Sequence, residues 1–323
     1  MLRIGIISNP FSKINKQNPD YNTQLWYTLS NIGQFVVTRN LDELSKTCRE
    51  FKARKIDLIG IVGGDGSMSV VLSAIFKAYG HENLPRILVL KGGTINFLAQ
   101  NLGINRPALE CLEDFVTHIS KDQPIFETRF STLKIGERIG FIFANGIAVR
   151  FLEEFYKNKT NSLGALYLIG KSLADGALKG KLSGLYPKIV QEETMQIKTR
   201  YPNTNSDDKN NYGTYTMVLA STVPKIPYGI HLFKKIDNQT QHGELISISL
   251  KGKDLVKNAF KAALLKDLNG QGMQSELFQN ATIYCKKNSS YSLDGEVLET
   301  EGQIDLQLGP QFTFCSPYRS ILG

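Results

Sequence analysis

The chain has 323 residues, of which 41% are apolar and 21% charged, and its formal net charge is +8. That length exceeds what one hydrophobic core usually serves, so two domains are expected, and the residue balance excludes a disordered chain. The basic stretches lack nucleic-acid-binding motifs, so nucleic acid is not an expected partner.

Met1 to Ser8 is too short in its apolar part for a signal peptide, and no apolar run reaches about 18 residues, which points to a soluble, cytoplasmic protein. Leu2 to Ser8 reads as a strand ending at the turn Asn9-Pro10-Phe11-Ser12. Gln34 to Thr38 reads as a second strand, and Asn40 followed by Glu43 makes a capping-box-like start for a helix from Leu41 to Lys55. Leu58 to Val62 is an unbroken apolar run, as a buried central strand requires. Met68, Val71, Leu72, Ile75 and Phe76 give helical spacing to Ser67–Tyr79, and Ile87 to Leu90 reads as another buried strand. Helices are expected over Ile95–Leu102, stopped by Gly103, and over Pro107–Ile119. This alternation predicts a nucleotide-binding-like α/β domain over residues 1–125.

Three glycines in Gly63-Gly64-Asp65-Gly66-Ser67 follow a buried strand and precede a helix, a placement that lets backbone N–H groups converge on a phosphate. Asp65 is unusual there, because a carboxylate repels phosphate unless Mg²⁺ or proton transfer is involved. A second loop, Gly92-Gly93-Thr94, follows the next strand, and two such loops at the carboxyl ends of neighbouring strands face one crevice.

From about Glu127 the pattern changes to alternating strands, at Thr132–Ile135, Gly140–Ala144, Thr214–Ala220, Leu245–Leu250, Ala281–Lys286 and Ile304–Leu308. A mainly-β domain is therefore expected over residues 126–309, with a polar hairpin loop at Asn203–Asn211. Asp294-Gly295-Glu296 reads as a hairpin bend that carries two carboxylates. Six Lys and one acid lie between Lys157 and Lys188, and five Lys and one acid between Lys251 and Lys266; basic amphipathic helices of this kind can lie on an anionic membrane. Cys48, Cys111, Cys285 and Cys315 have no metal-site or disulfide spacing and read as reduced packing residues.

Asn9-Pro10-Phe11-Ser12, Gly63-Gly64-Asp65-Gly66-Ser67 and Gly93-Thr94-Ile95-Asn96, with Leu163-Gly164-Ala165-Leu166-Tyr167, Leu293-Asp294-Gly295-Glu296 and Phe312–Pro317, together resemble the diacylglycerol kinase catalytic family. That resemblance implies an NAD kinase-like two-domain fold, an α/β domain followed by a β-sandwich domain, with residues 310–323 returning to the first. It implies transfer of phosphate from MgATP to a lipid hydroxyl at an anionic membrane surface by a peripherally bound enzyme, with diacylglycerol as the default acceptor and a sphingoid base, ceramide or phosphatidylglycerol as alternatives, and it is compatible with a homodimer. By position, Asn9, Pro10, Ser12, Thr38, Gly63, Gly64, Asp65, Gly66, Ser67, Gly93, Thr94 and Asn96 would bind ATP. Glu296 would accept the proton, supported by Asp294 and Asp65, either of which could act through the Mg²⁺ of MgATP; the sequence alone does not choose among the three carboxylates. The chain departs from the family at Ser69-Val70, where Asn-Glu is usual, at Phe97, where an acid is usual, at Lys13, and at His242-Gly243-Glu244, where many bacterial members have an Asp-Gly magnesium loop. An NAD kinase, or a weakened nucleotide or lipid sensor, are the other readings of the same motifs.

Overall fold

The computed structural model describes residues 2–29, 32–157, 191–201, 209–237, 241–249 and 272–319. The first half runs β1 (Ile4–Ser8), α1 (Lys13–Gln17), α2 (Tyr21–Leu29), β2 (Gly33–Val37), α3 (Leu41–Ala53), β3 (Leu58–Gly63), α4 (Asp65–Tyr79), β4 (Arg86–Lys91), α5 (Phe97–Asn101) and α6 (Ala108–Ser120). Strands β2, β1, β3 and β4 lie side by side in parallel. Every residue of β1 and β3 is buried, which explains their unbroken apolar runs. On α3, Asn40 Oδ1 accepts from the Glu43 N–H at 2.8 Å, and Glu43 reaches back to the Arg39 N–H, a cap contributing about 1 kcal/mol.

The second half runs β5 (Phe126–Ile135), β6 (Arg138–Gly140), β7 (Ile142–Gly146), α7 (Ile147–Lys157), β8 (Glu193–Arg200), β9 (Lys209–Tyr215), β10 (Met217–Ser221), and the short pair β11 (Lys225–Ile226) and β12 (Ile230–His231). Then come β13 (Gly243–Ile248), β14 (Met273–Phe278), β15 (Asn280–Tyr284), β16 (Ser290–Leu293), β17 (Glu296–Glu299) and β18 (Gln303–Ser316). One sheet of ten strands, ordered β2-β1-β3-β4-β18-β15-β8-β9 with β5 and β6 attached, runs through both halves. A six-stranded sheet, β14-β13-β10-β7-β16-β17, packs on its β-rich part, and the core between them includes Leu133, Phe143, Ile197, Val218, Leu245, Ile283 and Leu306. The fold is thus an α/β unit joined to a β-sandwich.

Strand β18 makes the join. It pairs antiparallel with β5 and β15, and at Phe314 and Cys315 it pairs in parallel with Ile87 and Leu88 of β4. The two apolar runs Ile304–Leu308 and Phe312–Pro317 belong to this single strand, with a bulge between Leu308 and Gln311. Two other expectations need correction. Gly140–Ala144 is not continuous but breaks at Phe141, and Thr214–Ala220 breaks at Thr216, whose Oγ1 donates to Ile248 O. Neither α1 nor α2 was expected: α1 is a single short turn, and the Tyr21, Leu25 and Leu29 repeat that α2 buries is only two turns long. All four cysteines are free, and burial pushes the thiols of Cys48, Cys111 and Cys315 up to about 12, as packing residues require. The Leu163–Tyr167 motif, the Lys157–Lys188 stretch beyond Lys157, the Asn203–Asn211 loop before Lys209, and Lys251–Lys266 lie outside the described residues. Among the described residues no helix is long and apolar enough to cross a membrane.

Candidate active site

Parallel strands β1, β3 and β4 end on the same side of the sheet, and the loops that follow them meet there. Backbone hydrogen bonds knit the three together: Asn9 N–H to Val62 O (3.0 Å), Gly92 N–H to Gly63 O (2.8 Å) and Ile14 N–H to Gly92 O (3.2 Å). Asn9 Nδ2 also donates to Ser67 Oγ at 2.8 Å, so the turn after β1 grips the first turn of α4.

Contact explains two of the glycines. A Cβ on Gly93 would lie 2.5 Å from Gly64 Cα, and one on Gly64 would lie 3.1 Å from Gly93 Cα, so the two glycine loops touch backbone to backbone. Gly66 is different: it is exposed, and a Cβ there would meet nothing within 4 Å. Space is therefore left beside the first turn of α4, whose free N–H groups and dipole suit an anion such as phosphate.

The helix begins at Asp65 rather than Ser67, and Asp65 is where the two loops are locked. Its carboxylate is bonded by the N–H groups of Asn96, Leu98 and Phe97 as well as its own, which makes it the cap of α5. Burial pushes its pKa up to about 6 against the opposing pull of those N–H groups. Asn96, left-handed at φ 52°, closes the second loop by exchanging two 2.9 Å bonds with the Gly93 backbone.

The third element comes from the β-rich half. Asp294 (φ 51°) and Gly295 (φ 90°) form a two-residue turn between β16 and β17, with Leu293 opposite Glu296. Asp294 Oδ1 accepts from the N–H groups of Phe141 (2.9 Å) and Ile142 (2.8 Å), which explains why the strand breaks there. Its Oδ2 accepts from Ser69 Oγ of α4. Burial pushes Asp294 up to about 6; the Ser69, Phe141 and Ile142 bonds pull the other way, and the charge of Asp65 adds to the rise. The structure thus brings Asp65 and Asp294 into one electrostatic neighbourhood. Glu296 is exposed beyond the turn and pairs with Arg138 at 2.8 Å.

Among the remaining expected residues, Thr38 is buried after β2 with its N–H on Ser8 O, and Pro10 is half-buried. Ser12 is buried, and its Oγ has no partner among the described residues; Thr94 is exposed on the second loop. The departures also have places. Val70 is 36% exposed on α4, whereas Phe97 is buried edge-on against Phe141. Glu244 is 2% exposed and accepts from Lys235 N–H (2.9 Å) and Ser275 Oγ (2.6 Å). Among the described residues no three or more His, Cys, Asp or Glu gather as a metal cluster. Sequence reasoning missed Ser69, Ser73 and Arg138, although Asp65, Ser69 and Ser73 share one stripe of α4 by their spacing of four.

The sequence model of the diacylglycerol kinase catalytic domain matches residues 3–127. A diacylglycerol kinase from Bacillus anthracis str. Sterne superposes with a TM-score of 0.65 at 16% identity, covering 99% of this chain and 98% of that one. A protein of the same organism provisionally assigned as a diacylglycerol kinase gives 0.70 at 17% identity over 97% and 96% of the two chains. None of the curated proteins matches. Over residues 3–127 the chain thus matches the diacylglycerol kinase catalytic domain, and along its whole length it shares the fold of these two solved proteins.

Proposed function

We infer that the protein transfers the γ-phosphate of MgATP to a lipid hydroxyl, with diacylglycerol as the first acceptor to test. The observation that carries this reading is the junction itself: two glycine loops packed backbone to backbone around the Asp65 cap, with the Asp294-Gly295-Glu296 hairpin bonded to the same helix. Space at Gly66 beside the α4 N-terminus fits nucleotide phosphates, whereas a side chain there would fill it. Asp65 and Asp294 are each already engaged by three or more donors, so an Mg²⁺ arriving with the nucleotide would rest chiefly on the substrate phosphates, where it would supply charge neutralisation on the transferred group.

The chain's own part is positioning. The first-turn N–H groups of α4 and the Gly93-Thr94 loop orient the phosphates, and Glu296, on the sandwich side, accepts the proton of the attacking hydroxyl. The bond from the γ-phosphorus to the ADP oxygen breaks as the bond to the lipid oxygen forms. Because such acceptors sit in membranes, the enzyme works at a surface, and the +8 charge favours an anionic one. The test is a panel of diacylglycerol, sphingoid base, ceramide and phosphatidylglycerol in mixed micelles with labelled ATP, run with and without anionic lipid. Labelled lipid product with at least one acceptor supports the reading. No product from any of them, with NAD⁺ phosphorylated instead, overturns it.

A further inference from the structure

Glu296 is exposed and belongs to a different half of the molecule from the glycine loops, so something must register it against them. Two serines one turn apart on α4 are placed to do this. Ser69 Oγ donates to Asp294 Oδ2, two residues before Glu296. Ser73 Oγ accepts from the Ile139 N–H at 3.1 Å while donating to Ser69 O at 2.8 Å, and Ile139 directly follows Arg138, the ion-pair partner of Glu296. The hairpin strand bearing Glu296 and the strand bearing its guanidinium partner are thus each tied to the helix that begins at Asp65. Serine is a weaker helix former than alanine, and it usually spends its hydroxyl on its own helix backbone. Here both hydroxyls also reach across to the other half.

We propose that Ser69 and Ser73 are positioning residues that fix the Asp294-Gly295-Glu296 hairpin in register with the glycine loop. Ser69 is the principal tether because it holds a carboxylate that three donors share. The inference rests on the proposed transfer reaction, and its predictions are separable from it.

The experiment compares wild type, Ser69→Ala, Ser69→Thr and Ser73→Ala for kcat and KM for ATP. Thermal unfolding and amide exchange at Ile139, Phe141 and Ile142 are followed on the same proteins. Ser69→Ala should lower kcat by about ten- to a hundredfold with KM for ATP within about twofold of wild type, because misplacement acts on the transition state more than on nucleotide binding. Ser69→Thr should restore most of the rate, and Ser73→Ala should show a smaller loss of kcat. Faster exchange at Ile139, Phe141 and Ile142 should accompany the losses. An active wild type whose Ser69→Ala variant keeps kcat overturns the positioning role and leaves the transfer reading intact. A wild type inactive on every lipid overturns both, even if the exchange rates respond.

Discussion

Asp65 and Asp294 are both pushed up to about 6 by burial, and both are held by backbone N–H groups, yet their donors come from different distances along the chain. Those on Asp65 come from residues 96–98 of the same α/β unit, about thirty positions away. Those on Asp294 come from Phe141, Ile142 and, 225 positions away, Ser69. The first carboxylate completes a local device that one domain can build. The second gains its third donor, Ser69, only where the two halves meet. Under the proposed function, phosphate binding and completion of the reactive junction would therefore be separable, and each could be disturbed alone.

The largest expected effect falls on the sandwich side. Glu296→Gln should lower kcat by at least about a hundredfold while leaving the melting temperature close to wild type, since the residue is exposed and its removal uncovers no buried group. An unchanged rate with any accepted lipid would remove Glu296 from the mechanism.

Next comes the pH dependence of stability, which reports on Asp294. Its folded pKa lies above the ordinary value of about 3.9, so its contribution is fully present below about pH 4 and is lost as pH rises through about 6. Unfolding free energies of wild type and Asp294→Asn should therefore converge or cross between pH 4 and 7, the wild type losing up to about 3 kcal/mol relative to the variant. Parallel curves over that range would show that the carboxylate is not desolvated in solution.

Two glycines test the loop side. Gly93→Ala places a Cβ 2.5 Å from Gly64 Cα and should destabilise by about 2 kcal/mol, since neither backbone can yield without opening the loop junction. Gly66→Ala meets no protein atom, so stability should stay within about 0.5 kcal/mol of wild type. Calorimetry with ATP should nevertheless show affinity lowered about tenfold, because the added methyl enters the space that phosphate would use. Equal ATP affinity in Gly66→Ala and wild type would move the phosphate site elsewhere.

The same contrast explains what the sequence disclosed. Strand β3, its glycines and the helix after it are contiguous, so the local pattern carried the element types, missing only that Asp65 and Gly66 are already helical. The Asp294-Gly295 turn was legible as a turn because left-handed backbone selects those residues. Its attachment to Ser69 was not, since no local pattern encodes a bond spanning 225 positions. For the same reason the strand break at Phe141 was invisible: an apolar run continues through it, and only the distant carboxylate diverts its N–H. Ser69 itself was read as a lost contact, when its hydroxyl makes a different one.

Glu244 gives the smallest expected effect and the cleanest contrast with Asp294. Both are hydrogen-bonded carboxylates in the sandwich half, but Glu244 is fully buried and takes its donors, Lys235 N–H and Ser275 Oγ, from its own half, beside a Gly243 packed against Phe278. His242 lies nearby with its Nε2 3.1 Å from Lys235 O, so the ring is bound to backbone rather than gathered with acids. A hard cation asks for six or more oxygen ligands in an open cage, and this arrangement offers a carboxylate already engaged by two donors. Stripping divalent metal with EDTA in the absence of nucleotide should therefore leave the melting temperature within about 1 °C of the untreated protein, a change of under about 1 kcal/mol for a chain of this size. A fall of several degrees, reversed by Mg²⁺ and abolished in Glu244→Gln, would show that these oxygens hold a structural ion after all.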